Sequence, residues 1–538
     1  MQPTAAPGTE IYTAKRGEAI PTIARRYLSR TSYLTSSELA EAIRHANGDR
    51  TANILKANEN IIIPGILSAP VTEKTIPVPK DFEVRAIYLT GIMAGSDHGL
   101  RIIRHWREVG GNAVVFDIKD SDGSLSIPFE HPLVGKHNVY IHDVPKFVRF
   151  LHQQNMHAIA RIAIFRDERL VTDHPELAVK SRRTGQPWRE NGKLVWTDPS
   201  NPKVQDYNIA LAKHVAQLGA DEIQFDYVRF PAEGDQKDAL FHFQSEHPEP
   251  AQDQDPSSNN GSCGDGRLGR PADAKQGGPA TAVGATSGSP TSSSDPAAKA
   301  GSASAANAAS APAAKRRKSA AHGASPGTAA ETHQAPKGRK TACSAVAPRG
   351  PQRTDVIAAF LRKAYAEIHP TGALFSLDVF GVMAWQRQVD LSHTGQDIVA
   401  MSRYCDVLSP MIYPSHFFGM DNIARPGDAP EHFIAESMDR FELITHPDGN
   451  KSSGVVIRPW LQAFHWRTKT YSPEYIKVQV ETAKTKGGVG FLFWNAANDY
   501  SKPYAAMPEM RAANAKAKDK FFRGDELPLA TVKASLTP

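Results

Sequence analysis

The sequence predicts an α/β chain organised around a (β/α)8 TIM barrel, with a small α+β module before it and a long disordered insert inside it. Three observations predict this. Eight short β-rich runs alternate with amphipathic helical stretches, an alternation that implies parallel strands covered by helices. Eight such units suit a closed barrel. A tract almost free of aliphatic and aromatic residues then interrupts the pattern after the fourth run.

Residues 1–10 carry neither a basic nor an apolar leader pattern and read as a disordered N-terminus. Residues 11–66 read as a separate module. It opens with a strand at Ile11–Ala14, followed by a helix with Ile20, Ile23, Ala24 and Tyr27 on one face. A second helix near Ser37–Ala46 and a strand at Ile61–Ile63 complete it. Residues 67–82 read as a linker.

The first barrel segment, 83–231, holds the runs Arg85–Gly91, Ala113–Asp120, Ala158–Phe165 and Glu222–Phe230. The second, 353–510, holds Leu374–Gly381, Asp406–Pro414, Val456–Phe464 and Gly490–Ala496. A doubly wound open sheet is the alternative architecture, but no Gly-rich phosphate loop follows the first run. Residues 232–352 form the low-complexity insert, in which Ser257–Ala347 is dominated by Ala, Ser, Gly, Pro and Thr. Such a stretch buries too little apolar surface to offset its ordering entropy. Residues 511–538 read as a C-terminal tail.

The 538 residues are 40% apolar with a net charge of +6, ordinary for a soluble protein with a sizeable core. Part of the excess positive charge lies in Lys315–Lys318, which reads as a solvated cluster rather than a nuclear signal or a contact to an anionic polymer. Nucleic acid is therefore not an expected partner. No apolar run is long enough to span a membrane. The three cysteines, Cys263, Cys343 and Cys405, show no metal-ligand spacing, and neither metal nor cofactor is expected.

Strand side chains alternate between faces, so each run divides into a helix-facing and a barrel-facing set. In the fourth run Ile223, Phe225 and Tyr227 face the helices, leaving Glu222, Gln224 and Asp226 inward. In the fifth, Ser376, Asp378 and Phe380 point inward. The second places Asp117 and Lys119 inward, and the seventh Arg458, Trp460 and Gln462. Asp117, Asp226 and Asp378 all fall late in their runs and should converge at the C-terminal rim, where barrel chemistry resides. Arg161, Lys119 and Arg229 are the candidate counter-charges. Three convergent carboxylates are the usual makings of acid/base chemistry, and a salt-bridge network that only fills the mouth is the alternative. The rim also collects aromatics, among them Tyr88, Tyr227, Phe230, Trp385, Tyr413, Trp460, Phe464, Trp466 and Trp494, with Gln462 and Asn495 as polar heads. Rings for the apolar faces of sugars and amides for their hydroxyls suggest a polysaccharide cleft.

Several runs carry recognisable motifs. Val115–Asp120, Phe225–Pro231, Ser409–Pro414, Arg458–Gln462 and Gly490–Asn495 together resemble a bacterial barrel family assigned by inference to the glycoside hydrolases and long catalogued as a domain of unknown function. More distantly they resemble the α-amylase and α-galactosidase type barrels. The resemblance implies a hydrolase of O-glycosyl bonds acting on a carbohydrate substrate. It implies the nucleophile at the end of the fourth strand, on Asp226. The acid/base falls on Asp378, an Asp where the α-amylase type has Glu, with Asp117 orienting substrate. Tyr88, Lys119, Arg161, Tyr227, Arg229, Tyr413, Arg458, Trp460, Gln462, Trp494 and Asn495 complete the expected binding surface.

The N-terminal module is similar to LysM domains through Tyr12–Glu18, Ile23–Tyr27 and Ile61–Pro64, departing from them at Ala19-Ile20 and in a longer segment after Tyr27. That similarity implies binding of peptidoglycan or chitin-like glycan. It favours the cell envelope or the extracellular space as location, although nothing in the sequence as written exports the chain, and the cytoplasm stays open. A non-catalytic glycan-binding protein and a metal-dependent deacetylase are the competing readings.

Overall fold

The computed structural model describes residues 6–246, 351–449 and 454–516. Most of the low-complexity tract, with Cys263, Cys343 and Lys315–Lys318, lies outside the described residues, as does 517–538.

Eight parallel strands close into a barrel: Val84–Leu89, Ala113–Lys119, His157–Ala163, Glu222–Asp226, Leu374–Phe380, Val407–Ile412, a seventh in two pieces at Val456–Ile457 and Trp460–Gln462, and Gly490–Trp494. Each strand pairs with its predecessor in the chain, and Gly490 of the eighth pairs with Val84 of the first to complete the circle. Gly490 is required at that seam. Its φ is +76°, and a Cβ there would sit 2.0 Å from the Val84 carbonyl oxygen. Pro459 breaks the seventh strand because it offers no N–H to the ladder.

Helices Asp97–Glu108, Val144–Gln153, Pro202–Gln217, Arg353–Ile368, Pro430–Thr445, Pro473–Thr485 and Ser501–Lys516 cover the outside. Several begin on side-chain caps, such as Ser96 to the Gly99 N–H and Asp143 to the Lys146 N–H. The main apolar core lies between strands and helices and holds Val114, Phe116, Ile223, Phe225, Phe375, Leu377 and Leu461. A smaller cluster, including Ala86, Tyr88, Val115, Ile159 and Trp460, fills the barrel itself. The helix-facing and barrel-facing sets therefore separate as the alternation predicts, Lys119 excepted.

The N-terminal module has the expected strand–helix–helix–strand order. Thr9–Thr13 pairs antiparallel with Asn60–Pro64, and helices Ile20–Tyr27 and Ser36–Ala46 pack on them around a core of their own. Arg104 reaches its Glu38 at 2.9 Å, and Lys146 donates to the Leu28 carbonyl at 2.9 Å.

Three boundaries shift. The linker is extended, but it is anchored under the barrel: Ile76 and Val78 are buried, the Ile76 N–H donates to Asp221, and Thr75 donates to the Ala220 carbonyl. The insert starts later than its composition implies. Ala239–Leu240 pairs with Lys180–Ser181, and Phe241 packs on Phe230 with ring centroids 4.8 Å apart. The last helix runs through residue 511 to Lys516.

Candidate active site at the barrel mouth

The inward side chains form layers. In the lowest, Arg458 grips Glu222 at 2.8 and 3.0 Å, and His157 adds a 3.1 Å contact to the same carboxylate. All three are fully buried near the N-terminal ends of their strands, and the Arg458 pair helps hold the Glu222 pKa down to about 2 against burial. Arg458 was expected on the binding surface. It instead plugs the barrel floor, because it lies two residues before Trp460, one inward layer below the side chain that reaches Asp378.

The upper layer gathers the three aspartates around one guanidinium. Arg161 donates Nη1 to Asp117 at 2.5 Å and Nη2 to Asp226 at 2.5 Å, and its Nε lies 3.9 Å from Asp378. Burial opposes the charge on Arg161, but Asp117 and Asp226 outweigh it and keep the group protonated. Tyr88 donates its hydroxyl to Asp117, and the Trp460 indole donates to Asp378 at 2.7 Å. The second oxygen of Asp378, the one nearest Arg161, accepts no hydrogen bond among the described residues.

The environments differ. Burial pushes Asp378 well above the usual carboxylate range, the Asp226 charge pushes it further, and Arg161 pulls against both. Burial raises Asp117 to about 7, with Arg161 opposing. Asp226 is the most accessible of the three, at 6%. The Tyr227 N–H donates to it at 2.6 Å, and Tyr227 itself adopts φ +54°. A non-glycine residue in that region is strained, and such strain concentrates at functional sites.

An aromatic wall rises above the carboxylates. Trp494 faces Tyr88 at 6.3 Å and Tyr413 at 5.9 Å, and Phe464 stands edge-on to Trp494 at 5.3 Å. Tyr227 and Trp494 are half-buried.

Four other expected residues behave differently. Lys119 does not enter the mouth. A bulge between Asp117 and Lys119 turns it outward, where it donates to Asp167 at 3.0 Å and to Asn208 at 2.7 Å. Gln462 ties rim loops together, accepting from the Ser415 N–H and donating to the Phe464 carbonyl. Asn495 likewise donates to the Ala463 and Asp499 carbonyls. Arg229 forms no ion pair with Asp226. Its guanidinium stacks over Trp196 at 4.6 Å and Phe380 at 4.5 Å.

Trp196, Arg166 and Glu190 were not anticipated. They belong to the long connection between the third strand and helix Pro202–Gln217, which folds over the rim. Its length was the available signal, since βα connections are normally about 2–6 residues and longer ones are commonly functional.

The fold and site define a parallel eight-stranded TIM barrel with a carboxylate cluster and an aromatic wall at its C-terminal mouth. The chain belongs to the family described as "Putative glycosyl hydrolase domain", which it matches over residues 86–256 and 317–500. No curated protein matches the sequence. Among solved structures, it is similar to a hypothetical protein from Ruminiclostridium thermocellum, 38% identical over 29% of this chain and 80% of that one, TM-score 0.26. It is also similar to the PgaB (BpsB) glycoside hydrolase domain from Bordetella bronchiseptica, 10% identical over 79% and 99%, TM-score 0.44. A third is the α-galactosidase TtGalA from Thermus thermophilus, 11% identical over 88% and 69%, TM-score 0.39.

Proposed function

We propose that the chain hydrolyses O-glycosidic bonds, with Asp226 as nucleophile and Asp378 as acid/base. One observation carries this reading: two aspartates on adjacent strands lie within reach of a single guanidinium, which pairs with Asp226 at 2.5 Å, while Asp378 makes no hydrogen bond to it and is held by burial well above the usual carboxylate range. Asp226, ion-paired and most accessible, is suited to attack the anomeric carbon. Asp378, held protonated, is suited to donate to the leaving oxygen. Neighbouring strands lie about 4.8 Å apart, a spacing that lets the two carboxylates approach the roughly 5–5.5 Å of retaining enzymes.

The cycle closes electrostatically. Once Asp226 is esterified by the sugar, its charge no longer raises Asp378, while Arg161 still lowers it. Asp378, which has already given its proton to the leaving oxygen, is then more readily kept as the carboxylate and serves as base toward water. Asp117, fixed by Tyr88 and Arg161, positions that guanidinium. Products of peptidoglycan, chitin and α-glucan oligosaccharides incubated with the chain and with Asp226→Asn, read by mass spectrometry, test this. Cleavage by the unsubstituted chain alone supports it. Equal cleavage by Asp226→Asn would remove Asp226 from the chemistry.

The N-terminal module is proposed as a tether to glycans containing N-acetylglucosamine, supported by its LysM-like residues, its strand–helix–helix–strand order and its own core. Retention of the isolated module on insoluble peptidoglycan or chitin above a control protein is the outcome expected.

A further inference from the structure

Above the carboxylate layer, two guanidinium groups flank one strained tyrosine. Arg229 lies 5.6 Å from the Tyr227 ring centroid and Arg166 5.3 Å, and Arg166 donates Nη1 to the Tyr227 hydroxyl at 3.0 Å. Neither arginine forms an ion pair among the described residues. Arg229 is 6% exposed, yet its only hydrogen bond there is from Nη1 to the Phe230 carbonyl at 3.1 Å. Its Nε and Nη2 are unbonded but not sealed from solvent. A guanidinium carries five N–H donors, and a buried one normally satisfies them. One packed between Trp196 and Phe380 with donors open to solvent can offer them to a ligand.

The carboxylates nearby are otherwise engaged. Glu190 accepts from the Trp196 indole and from the Ala232 and Glu233 N–H groups, and Glu233 accepts from Asn191. Asp226 is neutralised by Arg161. Glu190 and Glu233 balance the charge nearby but hydrogen-bond to neither arginine, so the two guanidinium groups keep planar, forked donors, the geometry that matches a carboxylate.

We infer that the glycan bound at this mouth is acidic, and that Arg229 and Arg166 receive the carboxylate of a uronic acid unit beside Tyr227. The inference takes the mouth as the glycan site, as in the hydrolase proposal, but concerns binding rather than cleavage.

Calorimetry on the full chain carrying Asp226→Asn tests it. The probes are oligosaccharides of galacturonate, glucuronate-containing hyaluronan and mannuronate, set against cellohexaose, chitohexaose and maltohexaose, with a sulfated carrageenan oligomer as a third arm. At least one carboxylated probe should bind about tenfold or more tightly than every neutral one, and more weakly as salt rises. Arg166→Gln, at a half-buried position, and Arg229→Gln in the same background should each remove that preference. If Arg229→Gln fails to fold, Arg166→Gln alone decides. No carboxylated binding, neutral binding of equal strength, binding of the sulfated probe alone, or a preference that survives Arg166→Gln overturns the inference. Hydrolysis of neutral glycans without acidic preference would spare the hydrolase reading and sink this one. Acidic binding without cleavage by the unsubstituted chain would do the reverse.

Discussion

Asp226 and Asp378 carry the same side chain a strand apart, and what separates them is which polar groups reach each one. Asp226 receives two nitrogens of Arg161 and a backbone N–H. Asp378 receives an indole N–H, and its other oxygen, 3.9 Å from Arg161, accepts no hydrogen bond in a buried site. For Asp378 the folded state binds the proton more tightly than the unfolded chain, so its ionisation costs stability as pH rises above the unfolded value of about 3.9. Asp378→Asn removes that cost and keeps an acceptor for Trp460. At pH 8 the variant should melt a few degrees higher than the parent while its turnover falls at least about a hundredfold. The loss should shrink on aryl glycosides, whose leaving groups need little protonation. An equal loss on good and poor leaving groups would strip Asp378 of the acid role.

The strand is the scale at which sequence reading was strongest and also where it failed. Alternation alone separated Val114 and Phe116 from Asp117, and Phe225 from Asp226, because each strand has a fixed period of two. One bulge defeats that rule. The pairs Asp117–Arg161 and Lys119–Ile162 leave Ile118 without a partner, which turns Lys119 into the helix layer. A bulge is a property of two paired strands, so one strand's sequence does not display it. Gln462 and Asn495 misled for a related reason: their partners are loop carbonyls placed only by the closed barrel. Lys119→Ala would leave Asp167 and Asn208 facing each other without the cation. Urea unfolding should show a loss of about 3–5 kcal/mol, with kcat and KM of the folded fraction unchanged. A fall in kcat with little loss of stability would return Lys119 to the active site.

At the scale of the whole molecule, the segment that joins the N-terminal module to the barrel is held by a charge cluster under the barrel. Glu73 accepts from Arg149 at 3.0 Å and contacts His152 at 3.2 Å. The other nitrogen of His152 lies 3.0 Å from Asp221, which also accepts the Ile76 and Ala158 N–H groups. One imidazolium thus links the linker, its own helix and the entry to the fourth strand. Burial presses its pKa down, but the hydrogen bonds to Asp221 and Glu73 prevail and raise it to about 9. A raised histidine contributes stability that is fully present below its unfolded pKa of about 6.5 and is lost as pH rises through 9. Shifted by that much, it is worth up to about 3 kcal/mol. Asp378 adds a fall of the same sign, so the comparison belongs in an Asp378→Asn background. There, unfolding free energy should decline between pH 6.5 and 9, and His152→Gln should start lower and decline by less, keeping only the part that Asp117 adds as it ionises near 7. Proteolysis within residues 67–82 should accelerate over that window in the parent and not in the His152 variant. A parent curve as flat as the variant's would show that the linker is held by its apolar contacts at Ile76 and Val78 and not by the imidazolium.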